Sequence, residues 1–222
     1  MTSPLPLLSL LEARVLGVLV EKQHTVPDTY PLTLNALTAG CNQKTSRDPV
    51  LNATDAEVQV AVDRLKSLAL VVESSGGRVM RYAHNAERAL GVPSQAVALL
   101  ATFMLRGTQT VGELRINSER LHRFADVSAV DGFLRELAAR ADAAMVAELP
   151  RAPGERENRW MHMLCGNSAL ASAIAAAPVA KEDVVSLTEL ASLRQSVSQL
   201  RSDVDRLEAS VASLRKELGA GP

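Results

Sequence analysis

Four side chains in this sequence carry the donor atoms of a metal site: Cys41, His84, His162 and Cys165. Zinc sites that can be read from sequence hold their ligands in close Cys or His pairs, since two donors from one turn fix half of the tetrahedron. Here the four stand far apart, so no metal and no other cofactor is expected. The two histidines read instead as packing residues inherited by matching hairpins. Glu155 and Glu157 form a carboxylate pair, but they fall on a turn (RAPGEREN) where solvation accounts for them. The chain carries no Gly-rich phosphate loop, nucleophile elbow or HExxH stretch, so it is read as non-enzymatic with no catalytic residue.

The remaining chemistry is recognition by charge. With 24 basic and 25 acidic side chains, a net charge of -1 and a pI near 6.4, phosphate can be neutralised only by local clusters. Candidate nucleic-acid contacts are Lys44 and Arg47 in CNQKTSRDPV, Arg78 and Arg81 on a first hairpin, and Arg115, Arg120 and Arg123 between Glu113 and Asp126, where Glu113, Glu119 and Asp126 balance them. Arg151, Arg156 and Arg159 around a second hairpin complete the set. Flexible arginines on a hairpin suit backbone or minor-groove contact, and solvated surface charge is the plain alternative for any one of them.

The elements that must position these residues centre on Asp55 to His84. Val58, Val62, Leu65 and Leu68 recur at helical spacing, Leu70 to Val72 switch to a strand, Gly76-Gly77 turns the chain, and Arg78 to Tyr82 alternates as a return strand. Two helices precede this unit. Ser9 with Glu12 three residues on has capping-box spacing for a first helix to about Lys22, and Leu32, Leu34 and Leu37 mark a short second helix stopping near Gly40. Thr54 with Glu57 repeats the capping spacing for the third. The stretch from Cys41 to Val50 makes the link to that helix longer than a minimal helix-turn-helix needs, and the sequence offers no reason for it.

The same order recurs after Gly91-Val92-Pro93, read as a domain junction. A helix carries Val97, Leu100, Ala101 and Met104 and ends at Gly107; a short helix spans Val111 to Arg115; a third begins at Ser128 with Val130, Phe133, Leu134 and Leu137. Strands Met145 to Leu149 and Arg159 to Leu164 close a second hairpin. RYAH at Arg81 to His84 and RWMH at Arg159 to His162 end the two units alike, which argues for duplication of one small fold. The expected fold is mainly α with small β-hairpins (α+β): two tandem winged helix-turn-helix domains (1-90 and 91-165), an Ala-rich hinge (166-182) and a C-terminal coiled-coil helix (183-219). Along that helix Leu190, Leu193, Val197, Leu200, Val204, Leu207, Val211, Leu214 and Leu218 alternate steps of three and four, and valine at a with leucine at d favours a parallel two-stranded coil.

EARVLGVLVEK, PDTYPLTLNALTAGCNQKTSRDPV, LRGTQTVGELR, SERLHRF and LPRAPGERENRWMH resemble the YceH-like bacterial family of uncharacterised proteins. The resemblance covers most of Ser9 to Cys165. It implies two winged-helix domains and brings no established activity or catalytic residue. Members often carry proline where this chain has Thr108 and Val111, and tyrosine where it has Trp160.

The function expected is that of a homodimeric protein binding double-stranded DNA, a transcriptional regulator whose coiled coil spaces its winged modules. The objection lies in the third helix, whose groove-facing positions Asp55, Glu57, Gln59 and Asp63 include three carboxylates. They favour the alternative, a non-enzymatic scaffold that grips a protein partner, as some chromosome-associated adaptors do. No stretch approaches the ~20 apolar residues that span a bilayer, and two free cysteines without a signal peptide suggest a cytoplasmic protein without membrane contact.

Overall fold

The computed structural model of the chain describes residues 7–75, 79–141, 143–151 and 154–166. The Gly76-Gly77 turn, Arg78, the hinge beyond residue 166 and the whole heptad segment, Leu193 to Leu218 included, lie outside the described residues.

Two helices are buried along nearly their full circumference and form the axis of the fold. In α1 (Leu10–Thr25) every residue from Ala13 to Val20 is buried, and in α5 (Ser94–Arg106) every residue from Ala96 to Leu105. A helix apolar on all faces must be wrapped by others. α1 meets α2 (Leu34–Cys41) and α3 (Asp55–Ser67), and its most extensive contact is with α5. That contact is close because Gly17 has no side chain: a Cβ there would stand 3.1 Å from Met104 Cβ and from Leu105 Cγ. Residues on both sides of Gly91-Val92-Pro93 thus share one core. Just before this segment a helix absent from the sequence reading, α4 (Ala86–Leu90), ends on Gly91 in the left-handed conformation (φ 62°).

The capping boxes form as their spacing predicts. Ser9 and Thr54 accept from the backbone N–H groups of Glu12 and Glu57, whose carboxylates accept in return, and Thr110 with Glu113 does the same for α6 (Val111–Asn117). α1 runs one turn beyond Lys22, to Thr25. α7 (Val127–Ala138) starts one residue before Ser128, capped by Asp126.

The strands form two small antiparallel sheets. In the first, β3 (Arg81–His84) lies between β1 (Leu32–Thr33) and β2 (Val71–Ser74). β1 was not anticipated: two residues leave too little alternation to read, and Thr33 doubles as the cap of α2. The return strand lies further along than Arg78 to Tyr82, because Leu32 takes Tyr82 as partner and Val71 takes His84. The second sheet pairs β4 (Val146–Glu148) with β5 (Trp160–His162), Val146 opposite His162. Gln109, next to the α6 cap, exchanges backbone hydrogen bonds with Trp160 (3.1 and 2.8 Å) where β1 pairs with β3 in the first half.

The two halves share an order of elements and match at several core positions. Val58, Val62 and Leu65 on α3 and Val130, Leu134 and Leu137 on α7 are all buried. Leu70 N–H donates to Leu65 O and Met145 N–H to Leu137 O, each joining the third helix to its hairpin. The fold is mixed α and β, with small antiparallel sheets appended to a helical core.

Candidate functional site

The long link between α2 and α3 is a strap fastened by two buried arginines. Arg14, fully buried in α1, donates from Nη2 to Pro49 O (2.7 Å) and from Nη1 to Cys41 O (3.3 Å), while its Nε has no partner among the described residues. Burial, then the neighbouring Arg47, pulls the Arg14 guanidinium below its ordinary value. Arg47 donates to Gly40 O (3.1 Å), to Gln43 Oε1 (2.7 Å) and to both oxygens of Glu21 (3.1 and 2.6 Å). Asn42 holds Ala53 in both directions at 2.8 Å, and Asp48 N–H donates to Leu105 O (2.8 Å). The extra length that the sequence left unexplained is thus used to close the first helical core and to reach α5.

Arg47, expected as a nucleic-acid contact on this link, is buried, with a side chain that shows no surface to solvent. Its guanidinium balances Glu21 and cannot meet phosphate without opening the strap. Arg14 escaped the sequence reading, though a signal was present: it lies at helical spacing from Leu11 and Val18, inside the apolar stripe.

Two further candidates hold equivalent structural places. Arg81 Nη1 donates to Pro31 O (2.7 Å) and Thr29 O (3.2 Å), and Arg159 Nη1 donates to Thr108 O (3.3 Å). Pro31 and Thr108 each lie two residues before the threonine that caps the following helix, so each arginine ties its hairpin to the start of the second helix. Arg159 also pairs with Glu113 (3.2 Å). Arg115 Nη2 donates to Ala125 O (3.4 Å), which ties the α6–α7 link to α6.

Of the candidate cations, Lys44 on the strap, Arg120 and Arg123 after α6, and Arg151 and Arg156 near the tip of the second hairpin are exposed and make no hydrogen bond or ion pair among the described residues. On α3, Asp55, Glu57 and Asp63 are exposed as expected, while Gln59 accepts from Tyr82 OH (3.1 Å) and donates to Asp63 (3.1 Å). Val60 on the same helix is 70% exposed.

The potential ligand atoms are not gathered. Among the described residues no group of three or more His, Cys, Asp or Glu side chains stands close enough to hold a metal ion. Burial pushes the Cys41 thiol up to about 12 and raises that of Cys165, so neither is a ready nucleophile. His84 and His162 sit opposite Val71 and Val146 in the two hairpins, and burial lowers both to about 4, with His24 adding to the effect at His84. His84 accepts at Nδ1 from Ala86 N–H and donates from Nε2 to Gln23 Oε1. Among the described residues no helix is long and apolar enough to cross a membrane.

Residues 8–155 match a family described as "Protein of unknown function, DUF480". The chain is 58% identical over 209 residues to a UPF0502 protein of Burkholderia thailandensis, covering 94% of this chain and 88% of that one. It is 57% identical over 212 residues to a UPF0502 protein of Paraburkholderia xenovorans (96% and 89% covered). It is 57% identical over 216 residues to one of Dechloromonas aromatica (97% and 96% covered).

Proposed function

The chain belongs to the DUF480 family of uncharacterised bacterial proteins, also called UPF0502 and consistent with the YceH-like resemblance of its motifs, and we propose that it is a DNA-binding protein, a transcriptional regulator with tandem winged-helix modules. Three helices followed by a hairpin, built twice on matching residues, are the parts of a winged helix-turn-helix. The observation that carries the proposal is that Arg151 and Arg156 stand exposed near the tip of the second hairpin, without an ion pair among the described residues. An arginine at the end of such a hairpin reaches phosphate or minor groove at little desolvation cost. Arg123 and Lys44 are the secondary contacts. The heptad from Leu193 to Leu218, read from sequence, would join two copies and so call for a palindromic or repeated site. Fluorescence anisotropy of the full chain with duplex genomic fragments at low and moderate salt tests this: binding that weakens with salt supports it, and no binding at either salt removes it.

A second reading is favoured by α3 itself. Val60 is exposed among the carboxylates Asp55, Glu57 and Asp63, and Val79 on the first hairpin is 58% exposed. A phosphate-lined groove would repel such a helix, whereas a protein surface with basic and apolar groups would accept it. On this reading the first half is the adaptor. An affinity pull-down that keeps a stoichiometric protein partner after nuclease treatment would favour it over DNA.

A further inference from the structure

Where the strap passes between the two halves, a polar cleft of about 250 Å³ opens among the ends of α1, α5 and α6. Lys22, Arg106 and Arg120 line it, with Glu21 as the only carboxylate. Glu21 is already engaged: Arg47 takes both of its oxygens from behind, and Lys22 Nζ lies 3.2 Å from Oε2. Arg106 Nη2 has found only a neutral acceptor, the Ser46 hydroxyl at 2.8 Å. Arg120 has neither an ion pair nor a hydrogen-bond partner among the described residues.

A cation in the last turn of a helix offsets the carbonyl end of that helix, which accounts for Lys22 and Arg106 separately. It does not account for Arg120, which lies beyond the end of α6, nor for the convergence of all three on one concavity. Apart from Leu105 and Leu121 the rest of the lining is hydroxyl and amide, from Thr25, Thr45, Ser46 and Asn117 among others, and it offers no aromatic face on which a base could stack. The volume is below the ~300–1,000 Å³ usual for drug-sized ligands.

We propose that this cleft binds a small phosphomonoester with a short hydroxylated body, its phosphate held by Arg106, Arg120 and Lys22. A phosphomonoester carries about -1.5 to -2 charge at neutral pH, which matches cations that a single, already paired carboxylate leaves in excess. Guanidinium forks grip its oxygens bidentately, and the hydroxyl and amide side chains serve the polar body. The ligand would join the strap, and so the lead into α3, to the segment after α6. The inference stands apart from the DNA reading, and its test involves no DNA.

Isothermal titration of the full chain with glycerol 3-phosphate, inorganic phosphate and glycerol tests it. Glycerol 3-phosphate should bind once per chain, inorganic phosphate more weakly and glycerol not at all. Arg120→Gln, at an exposed and unpartnered side chain, leaves the fold intact and should weaken glycerol 3-phosphate binding roughly tenfold or more. Lys22→Gln should act in the same direction. Saturable binding of neither anion overturns the proposal, as does binding that Arg120→Gln and Lys22→Gln both leave unchanged.

Discussion

Glu21 Oε2 lies 2.6 Å from Arg47 Nη2, with no Arg47 side-chain surface and only 15% of that of Glu21 open to solvent. The pair joins the penultimate turn of α1 to the strap, so its two charges exist for each other. Breaking a buried pair from one side leaves the other charge without compensation, which costs more than the pair contributes.

Glu21→Gln should therefore destabilise the protein by about 3 kcal/mol, whereas replacing Glu21 and Arg47 together with leucine and methionine should cost less. Burial pushes the Glu21 carboxyl up, but the hydrogen bond and charge of Arg47, helped by Lys22, push it down further, to a net value below 4.5. The unfolded chain then takes up this proton first as the pH falls. The contribution is complete above the unfolded value and is lost as the pH drops from there through the folded value. Urea unfolding of parent and Glu21→Gln at neutral pH and at about pH 3 should show the gap narrowing in acid. A gap that stays constant would mean that Glu21 is not ionised against Arg47.

His162 works in a different pH window. Burial holds it neutral, lowered from 6.5 to about 4, and its Nδ1 has no hydrogen-bond partner among the described residues. The unfolded state binds the additional proton between these values, so stability is complete above about 6.5 and falls as the pH drops towards about 4. The full loss would be about 3 kcal/mol, at ~1.36 kcal/mol per pH unit. His162→Leu should reduce the decline in urea midpoint between neutral pH and about pH 5, the remainder coming from His84, which burial lowers over the same range. Decline at the parental rate would place the titrating group elsewhere.

Glycine substitutions should separate close packing from helix propensity. A Cβ on Gly40 would stand 2.6 Å from Val18 Cγ1, inside the α1–α2 contact, so Gly40→Ala should destabilise by about 1–3 kcal/mol. Gly132 lies on the exposed face of α7 with nothing within 4 Å of the same position. Gly132→Ala should stabilise by about 0.5–1 kcal/mol, since the helix no longer has to restrict a glycine. Thermal melts of the two variants should shift in opposite directions.

What the sequence revealed followed from what local patterns encode. The boxes at Ser9 and Thr54 and the apolar triplets of α3 and α7 are short-range arrangements, and each is in place. The α1–α5 contact escaped because an all-round apolar helix has no face to point with, and Gly17 looks like any helical glycine until Met104 and Leu105 stand against it. The arginines sort by something the sequence does not carry: charge is visible there, but its partner is not. Arg47 finds Glu21, and Arg81 and Arg159 find backbone carbonyls distant in the chain. The cleft joins Lys22, Arg106 and Arg120, which no periodicity connects.

That sorting of the arginines makes the DNA proposal sharper than the sequence could. If the second hairpin tip reads the phosphate backbone, reversing both Arg151 and Arg156 to glutamate should weaken binding of duplex DNA and lower the slope of log K against log salt by about 2, near one per lost phosphate contact. Neither side chain is tied to another element among the described residues, so the urea midpoint should stay at the parental value. Arg159→Gln should behave in the opposite way. It removes the bonds to Thr108 O and Glu113, should cost about 1 kcal/mol in stability, and should leave the salt slope alone. Anisotropy titrations at several salt concentrations, beside urea unfolding of the same variants, measure both quantities. A parental salt slope in the double reversal would show that the hairpin tip does not touch DNA, and the acidic, valine-bearing face of α3 would then be the surface to probe for a protein partner.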